Sequence, residues 1–225
     1  MSGSLYSAIT SWEEWFRLLT PEFKRMTEKE RGFISELLRD DYRVLEIGSG
    51  TGISLHVISH RVKEAVGVEH DYLQVKESEK HLPPNVRIVY ADANDLPFEN
   101  DTFDLTFSTF NFLGNQWDNK FRVLKEKKRV TKNNGNVVAS VYAENALDYQ
   151  LEQYRLYQKM LREHGYKTTL KTIGDTTLLL TDGYPLFYSE RFSKDKLVSF
   201  FREARFKTIY IDELTDFSYI VNARK

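Results

Sequence analysis

The sequence has no cysteine among its 225 residues, and its charges balance, with 32 Lys and Arg against 33 Asp and Glu. The first absence excludes disulfides, thiol nucleophiles and cysteine-ligated zinc or iron-sulfur sites. The second gives no global attraction to nucleic acid or to an anionic membrane. No apolar run reaches the roughly 20 residues of a membrane helix, and the first ten residues lack the basic start and apolar segment of a targeting signal. We therefore expect a cytoplasmic protein without a membrane partner.

Short β-rich runs alternate with helix-length segments through the middle of the chain. The pattern predicts strands at 43–47, 65–69, 86–90, 102–108 and 136–142, with helices at 53–61, 72–81 and 118–130. This alternation is typical of an α/β fold with a doubly wound, mostly parallel sheet. Ligands of such sheets lie at the carboxyl ends of the strands.

Three regions fall outside this alternation. Residues 1–40 carry apolar residues at helical spacing and predict flanking helices, with Trp12, Trp15 and Phe16 in the core. Residues 143–192 predict an inserted α+β lid, made of a helix at 144–164, strands at 167–173 and 176–181, and a connecting segment at 184–192. The predicted core is then 41–142 together with 193–225, where a Ser193-capped helix precedes a terminal β-hairpin.

The stretch V-L-E-I-G-S-G-T-G at 44–52 predicts a buried strand that turns sharply into a helix. A phosphate-binding loop would need G-K-S or G-K-T at its end, and this loop has no lysine. A dinucleotide fingerprint would place its third glycine at Ile53, and it has no use for Glu46, whose carboxylate would repel a pyrophosphate. An acid at that position suits a ligand with a cationic ammonium group. S-adenosylmethionine is such a ligand.

This stretch resembles the first motif of the class I S-adenosylmethionine-dependent methyltransferases. The resemblance covers about 40–142 and the terminal hairpin, and it implies a Rossmann-like seven-stranded sheet with an antiparallel terminal strand. It further implies that Glu69 holds the ribose hydroxyls, that Asp92 takes the adenine amino group, and that Ala93 lies against the ring. His70 stands where the family often has an aliphatic residue. The implied cofactor-binding residues are Glu46, Gly48, Ser49, Gly50, Gly52, Glu69, His70, Asp92, Ala93, Ser108 and Phe110.

Methyl transfer from a sulfonium requires alignment more than proton transfer, so we assign no catalytic acid or base. The stretch F-S-T-F-N-F-L-G-N at 107–115 would bring the amino acid end of the cofactor, at Ser108 to Phe110, close to the acceptor. The predicted acceptor-binding residues are Asn111, Tyr188 and Arg191. His56 and His60 lack a third ligand, so we expect no metal. The basic run K-E-K-K-R-V-T-K at 125–132 predicts a solvent-facing helix.

Three functions remain open. The balanced charge and the location of the insertion favour a small-molecule acceptor. An RNA or protein acceptor would need a basic surface beside the cofactor, and the candidate side chains are Arg155, Lys159, Arg162, Lys167, Lys171 and Arg191. A non-catalytic S-adenosylmethionine-binding module is the third alternative.

Overall fold

The computed structural model describes residues 16–225, so Trp12 and Trp15 lie outside the described residues. The first complete helix, α1 (Pro21–Leu37), begins where Thr20 accepts a hydrogen bond from the Phe23 backbone N–H and proline occupies the first turn. Phe16 packs at the edge of the core, as predicted. The apolar face of α1 buries Phe23, Met26, Thr27, Glu30 and Ile34.

The remaining elements follow the predicted alternation closely. In chain order they are β1 (Arg43–Ile47), α2 (Ile53–Ile58), β2 (Glu64–Glu69), α3 (Tyr72–Ser78), β3 (Val86–Tyr90), β4 (Phe103–Ser108), α4 (Lys120–Val130), β5 (Thr131–Ala143), α5 (Leu147–Glu163), β6 (Thr168–Ile173), β7 (Thr176–Thr181), β8 (Tyr184–Phe192), α6 (Lys194–Glu203), β9 (Thr208–Thr215) and β10 (Ser218–Arg224). Short 3₁₀ turns stand at Ser59–Arg61, Leu113–Asn115 and Trp117–Asn119.

Strands β1 to β5 form a parallel sheet in the order β3-β2-β1-β4-β5. β10 pairs antiparallel with β5, and β9 pairs antiparallel with β10, so the terminal hairpin completes seven core strands. The predicted fold class is therefore confirmed. Both faces of the sheet are covered, because alternate residues of β5 enter different cores, with Val137 and Ala139 on one face and Val138 on the other.

The insertion forms an antiparallel β6-β7-β8 sheet covered by α5. Its own small core contains Tyr154, Tyr157, Met160, Leu161 and Leu179. The predicted connection at 184–192 is wrong, because this segment is strand β8. Pro185 made this segment look unlike a strand in the sequence, because proline cannot donate a backbone hydrogen bond. In the structure Pro185 pairs with Leu180, beside a register shift between Leu179 and Leu180.

The end of β8 joins the insertion to the core sheet. Arg191 and Phe192 of β8 pair in parallel with Tyr142 and Ala143 of β5. They occupy the same edge of β5 that pairs with β4, beyond the point where β4 ends at Ser108. The insertion therefore lies over the carboxyl ends of β4 and β5. No helix within residues 16–225 is long and apolar enough to cross a membrane.

Candidate functional site

The glycine turn after β1 brings the backbone to the edge of the sheet. Gly48 and Gly50 have φ values of 75° and 56°, which disfavour a side chain. A Cβ on Gly48 would lie 2.2 Å from Cδ2 of Phe112, so the Phe112 ring can pack here only against glycine. The N–H groups of Gly48 and Ser49 both donate to the Val68 carbonyl, at 2.9 and 3.1 Å, and fix the turn to β2.

A cavity of about 820 Å³ opens beside this turn, at the carboxyl ends of β1 to β4. Three parts of the chain enclose it: the strand ends, helix α1, and Leu186, Phe187 and Tyr188 of β8. The sequence-predicted residues that line it are Glu46, Gly48, Ser49, Gly50, Glu69, His70, Asp92, Ala93, Phe110 and Tyr188. The insertion and the glycine turn therefore face one shared cavity.

Glu69 presents a fixed carboxylate to the cavity. Its oxygens accept hydrogen bonds from the backbone N–H groups of Gly50, His70 and Asp71, at 3.0, 2.8 and 2.9 Å. Burial alone would raise its pKa, but the His70 side chain and these backbone donors lower the pKa of Glu69 below its ordinary value. The group is an anion at neutral pH, suited to accept hydrogen bonds from a diol.

His70 and Asp92 lie on the same side of the cavity. The Nδ1 atom of His70 lies 3.0 Å from Oε1 of Glu69, and this hydrogen bond raises the pKa of His70. Asp92 accepts hydrogen bonds from the backbone N–H and the side-chain amide of Asn94, at 2.8 and 2.9 Å. Ala93 is buried beside it. This wall combines a polar acceptor with a small apolar surface.

Glu46 is a buried acid with an unused acceptor. Its Oε1 accepts a hydrogen bond from the Thr109 hydroxyl at 3.3 Å. Its Oε2 is buried and makes no hydrogen bond of ordinary geometry with the described residues, although the Ser54 hydroxyl is near enough to lower the pKa of Glu46. Burial raises the pKa of Glu46 to about 8. A cationic donor from a ligand would satisfy this oxygen and restore the charge.

A second buried acid, which the sequence did not indicate, reaches the cavity from α1. Oε1 of Glu30 accepts a hydrogen bond from the Phe110 backbone N–H at 2.8 Å and another from the Ser140 hydroxyl. Burial raises the pKa of Glu30 to about 7. The signal in the sequence was a carboxylate on the apolar face of an amphipathic helix, in register with Phe23 and Ile34.

Four predicted residues do not line the cavity, and their placement does not support direct ligand contact. Gly52 begins α2 with a φ of 83°. The Ser108 hydroxyl accepts a hydrogen bond from Lys127 Nζ at 2.7 Å, within the core. The Arg191 guanidinium is buried against Gln150, at 2.7 Å, as well as Thr177 and the Gly174 carbonyl.

Asn111, the fourth, joins the insertion to the core. Its amide nitrogen donates to the Ser189 hydroxyl at 2.8 Å, and its oxygen accepts from the Tyr142 backbone N–H at 3.0 Å. Phe110 and Asn111 are consecutive residues with φ values of 52° and 57°. Asn111 therefore holds a strained turn beneath the cavity instead of reaching an acceptor.

The basic run at 125–132 is only partly the predicted solvated face, because Lys127 is fully buried. Its Nζ donates to Ser108 and to the Val138 carbonyl, each at 2.7 Å, and burial lowers the pKa of Lys127 to about 7. Lys127 continues the buried face of α4 formed by Val123, Leu124 and Val130. The helical spacing of the buried residues, more than the charge of the run, indicated that Lys127 faces the core.

Tyr188, which lines the cavity, packs against a second aromatic ring. The Tyr188 and Trp117 ring centroids lie 4.4 Å apart, and Lys120 Nζ lies 5.3 Å from the Tyr188 centroid. Lys120 is also paired with Glu190 at 2.7 Å, and the Tyr188 hydroxyl donates to Glu190 at 3.3 Å. Tyr188 is therefore held in place in the lining of the cavity. No group of three or more His, Asp or Glu side chains within residues 16–225 is arranged to hold a metal ion.

Comparisons with known proteins bear on the family and the fold. A family model described as a methyltransferase domain matches residues 44–135. A phosphatidylethanolamine N-methyltransferase of Cereibacter sphaeroides is 37% identical over 100 residues, which are 43% of this chain and 48% of that protein. A demethylmenaquinone methyltransferase of Staphylococcus haemolyticus is 27% identical over 182 residues, covering 77% of this chain and 72% of that protein.

Among solved structures, a methyltransferase of Thermotoga maritima, described as a possible histamine N-methyltransferase, superimposes with a TM-score of 0.65. The two share 19% identity over 98% of each chain, which establishes a likeness of fold. The chain spans about half the length of the first curated relatives it matches, 48% and 46%.

Proposed function

This chain belongs to the class I S-adenosylmethionine-dependent methyltransferase family, and we propose that it transfers the methyl group of S-adenosylmethionine to a small acceptor within the cavity. The methyltransferase domain at 44–135 contains the glycine turn, Glu69 and Asp92. S-adenosylmethionine is the cofactor of this family. When bound, it supplies a methyl group already activated by a sulfonium centre.

The residues present fit this cofactor. The unpartnered Oε2 of buried Glu46 supports recognition of an ammonium group, which would supply the missing donor. The ionised Glu69 carboxylate suits a ribose diol, and Asp92 with Ala93 suits an adenine edge and face. The proposed roles of these residues come from the motif and from their arrangement around one cavity.

The chain contributes positioning and exclusion of water. The rigid glycine turn and Asn111 fix the floor, while Leu186, Phe187 and Tyr188 close the opposite wall. Displacement at a methyl group needs the nucleophile and the sulfonium in line, and holding both in one enclosed space supplies much of the rate. We assign no proton acceptor to the reaction.

One observation carries the small-molecule proposal: β8 of the insertion forms a wall of the same cavity as the glycine turn. The acceptor space between them is lined by Phe112, Leu186, Phe187 and Tyr188, which suits an apolar or aromatic acceptor. Its limited size supports a small molecule.

The basic side chains do not favour a nucleic acid acceptor. Arg155, Lys159 and Arg162 lie together in a separate shallow depression on α5, and none of the six candidate cations lines the cavity. Arg191 is buried within the insertion. The charged groups that do line the cavity are Glu30, Arg31, Glu46, Glu69, His70 and Asp92. Such an acidic lining would repel a phosphate backbone.

The test is a transfer assay with labelled S-adenosylmethionine. Acceptors would comprise small phenols, amines and quinols, bulk RNA and a mixed protein fraction, each incubated with the parent chain and with an E69A variant as the inactive control. We expect label in a small-molecule fraction, dependent on Glu69. Label confined to RNA or protein would refute the small-molecule proposal. A cytoplasmic location remains a proposal.

A further inference from the structure

Glu30 is a fully buried carboxyl group that the methyltransferase motifs do not include. It belongs to α1, outside residues 44–135, and yet it lines the cavity together with Thr27 and Arg31 of the same helix. It is 2% exposed. A carboxyl group at this depth is costly unless it has a specific partner.

Consecutive residues after β4 connect Glu30 to Glu46. Thr109 donates its hydroxyl to Glu46, at 3.3 Å, and Phe110 donates its backbone N–H to Glu30, at 2.8 Å. No Lys, Arg or His within residues 16–225 lies within salt-bridge distance of either acid. The cavity thus contains two buried acids that influence each other, and neither forms an ion pair with a described Lys, Arg or His.

A positively charged ligand explains this pair. Two unpaired like charges in one buried site destabilise each other, so without a nearby ligand cation at least one of the acids keeps its proton. A ligand cation between them would favour the ionised form of both. S-adenosylmethionine carries an ammonium, a carboxylate and a sulfonium, which give it a net positive charge, whereas its adenosine portion is neutral; the acids would face the ammonium and the sulfonium.

We infer that Glu30 is a second acid of the cofactor site, binding the cationic amino acid end of S-adenosylmethionine together with Glu46 and giving up a proton as the cofactor binds. The inference rests on the proposed function. Glu30 would then select for the charged end of the ligand, a role distinct from ribose binding by Glu69.

Several charged groups surround Glu30 and Glu46 and influence how cofactor binding depends on pH. Arg31 lies beside Glu30 on α1, Glu69 and His70 face Glu46 from the end of β2, and Lys127 approaches it from α4. The pKa values of Glu30 and Glu46 are raised to about 7 and about 8. Proton release on binding should therefore be largest near pH 6 to 7 and decline above pH 8, while affinity rises with pH.

Calorimetric titration in buffers of different ionisation enthalpy would test this, with S-adenosylmethionine and adenosine as ligands. We expect proton release with S-adenosylmethionine and none with adenosine. E30Q keeps a side-chain oxygen that can accept hydrogen bonds from Phe110 and Ser140. It should release fewer protons and bind S-adenosylmethionine at least about tenfold more weakly, and its affinity for adenosine should be unchanged. E30D should restore part of the release.

Two controls isolate the effect. E28Q and E36Q each change an exposed acid on the same helix. Both should retain the proton release that Glu30 contributes. If S-adenosylmethionine does not bind to the parent chain, the proposed function fails and this inference fails with it. If S-adenosylmethionine binds but E30Q releases as many protons as the parent, Glu30 is structural and the inference alone is overturned. The same conclusion follows if E30Q weakens the binding of adenosine as much as the binding of S-adenosylmethionine.

Discussion

Replacing Glu69 with Gln removes a charge from the proposed ribose site and leaves its shape nearly unchanged. Glu69 is ionised and buried, with both oxygens facing backbone donors at 2.8 to 3.0 Å. A ribose diol would add hydrogen bonds to the same charged group, and one such bond contributes about 1.5 to 3 kcal/mol. We therefore expect E69Q to weaken the binding of S-adenosylmethionine by roughly 10- to 100-fold.

The matched control lies at the other end of the same strand. Glu64 begins β2 and pairs with Arg43 and Arg87 at 2.7 and 3.3 Å, away from the cavity. E64Q should leave cofactor affinity within about twofold, because exposed ion pairs contribute little. Calorimetric titration of both variants, with circular dichroism to verify folding, measures the difference. An E69Q protein that folds and binds the cofactor as tightly as the parent would refute the ribose assignment.

Three further changes separate scaffold from acceptor site. N111A should lower the free energy of unfolding by about 1 to 3 kcal/mol in urea titrations, because it removes the hydrogen bonds to the Ser189 hydroxyl and the Tyr142 N–H and leaves alanine in a left-handed conformation. N134A, at an exposed asparagine with a similar positive φ of 65°, is its control, and equal stability of both variants would contradict the scaffold role. K127M should flatten the pH dependence of stability between pH 7 and 10. The folded pKa of Lys127, about 7, lies below that of the unfolded chain, so the parent gains stability as pH rises through this window; identical slopes in parent and variant would show that Lys127 stays charged in the fold. Y188A should raise the acceptor KM while leaving S-adenosylmethionine affinity within about threefold, since Tyr188 lines the cavity from β8 of the insertion and lies outside the methyltransferase motif residues. Y184A changes an exposed tyrosine on the same strand and is the control; a loss of cofactor binding in Y188A alone would place Tyr188 in the cofactor site.

Replacing the whole insertion would test acceptor selection less cleanly than these point changes. β8 pairs with the end of β5, and Ser189 is the partner of Asn111. A short linker at 143–192 would therefore remove part of the sheet edge and expose the turn at Phe110 and Asn111. The prediction that this segment determines the acceptor remains, and Tyr188 is the position at which to test it.

The sequence predicted those parts of the site that depend on local pattern. The glycine turn follows from spacing within one strand-turn-helix unit, and the resemblance to the family motif implied Glu69 at the end of the next strand, so neither required knowledge of distant contacts. The terminal hairpin was likewise predicted, because its β-rich runs are continuous. Each of these features is determined by a short continuous segment, so the sequence of that segment is enough to predict it.

The parts that the sequence did not predict depend on long-range packing. Glu30 reaches the cavity because α1 packs across the ends of β4 and β5, and its register relative to Phe110 and Ser140 is set only in the folded chain. Arg191 was predicted to contact the acceptor, but a buried guanidinium satisfied by Gln150 and Thr177 has the same sequence pattern. Polar type alone does not distinguish a ligand contact from a buried hydrogen-bond network.

The central claim is that this cavity binds S-adenosylmethionine, and competitive calorimetric titration with S-adenosylmethionine and NAD tests it most directly. The two ligands share adenosine, so Glu69 and Asp92 suit both. The buried acids Glu46 and Glu30 favour the cationic amino acid end and oppose a pyrophosphate. We predict tight binding of S-adenosylmethionine and at least about tenfold weaker binding of NAD. Tighter binding of NAD would contradict the account.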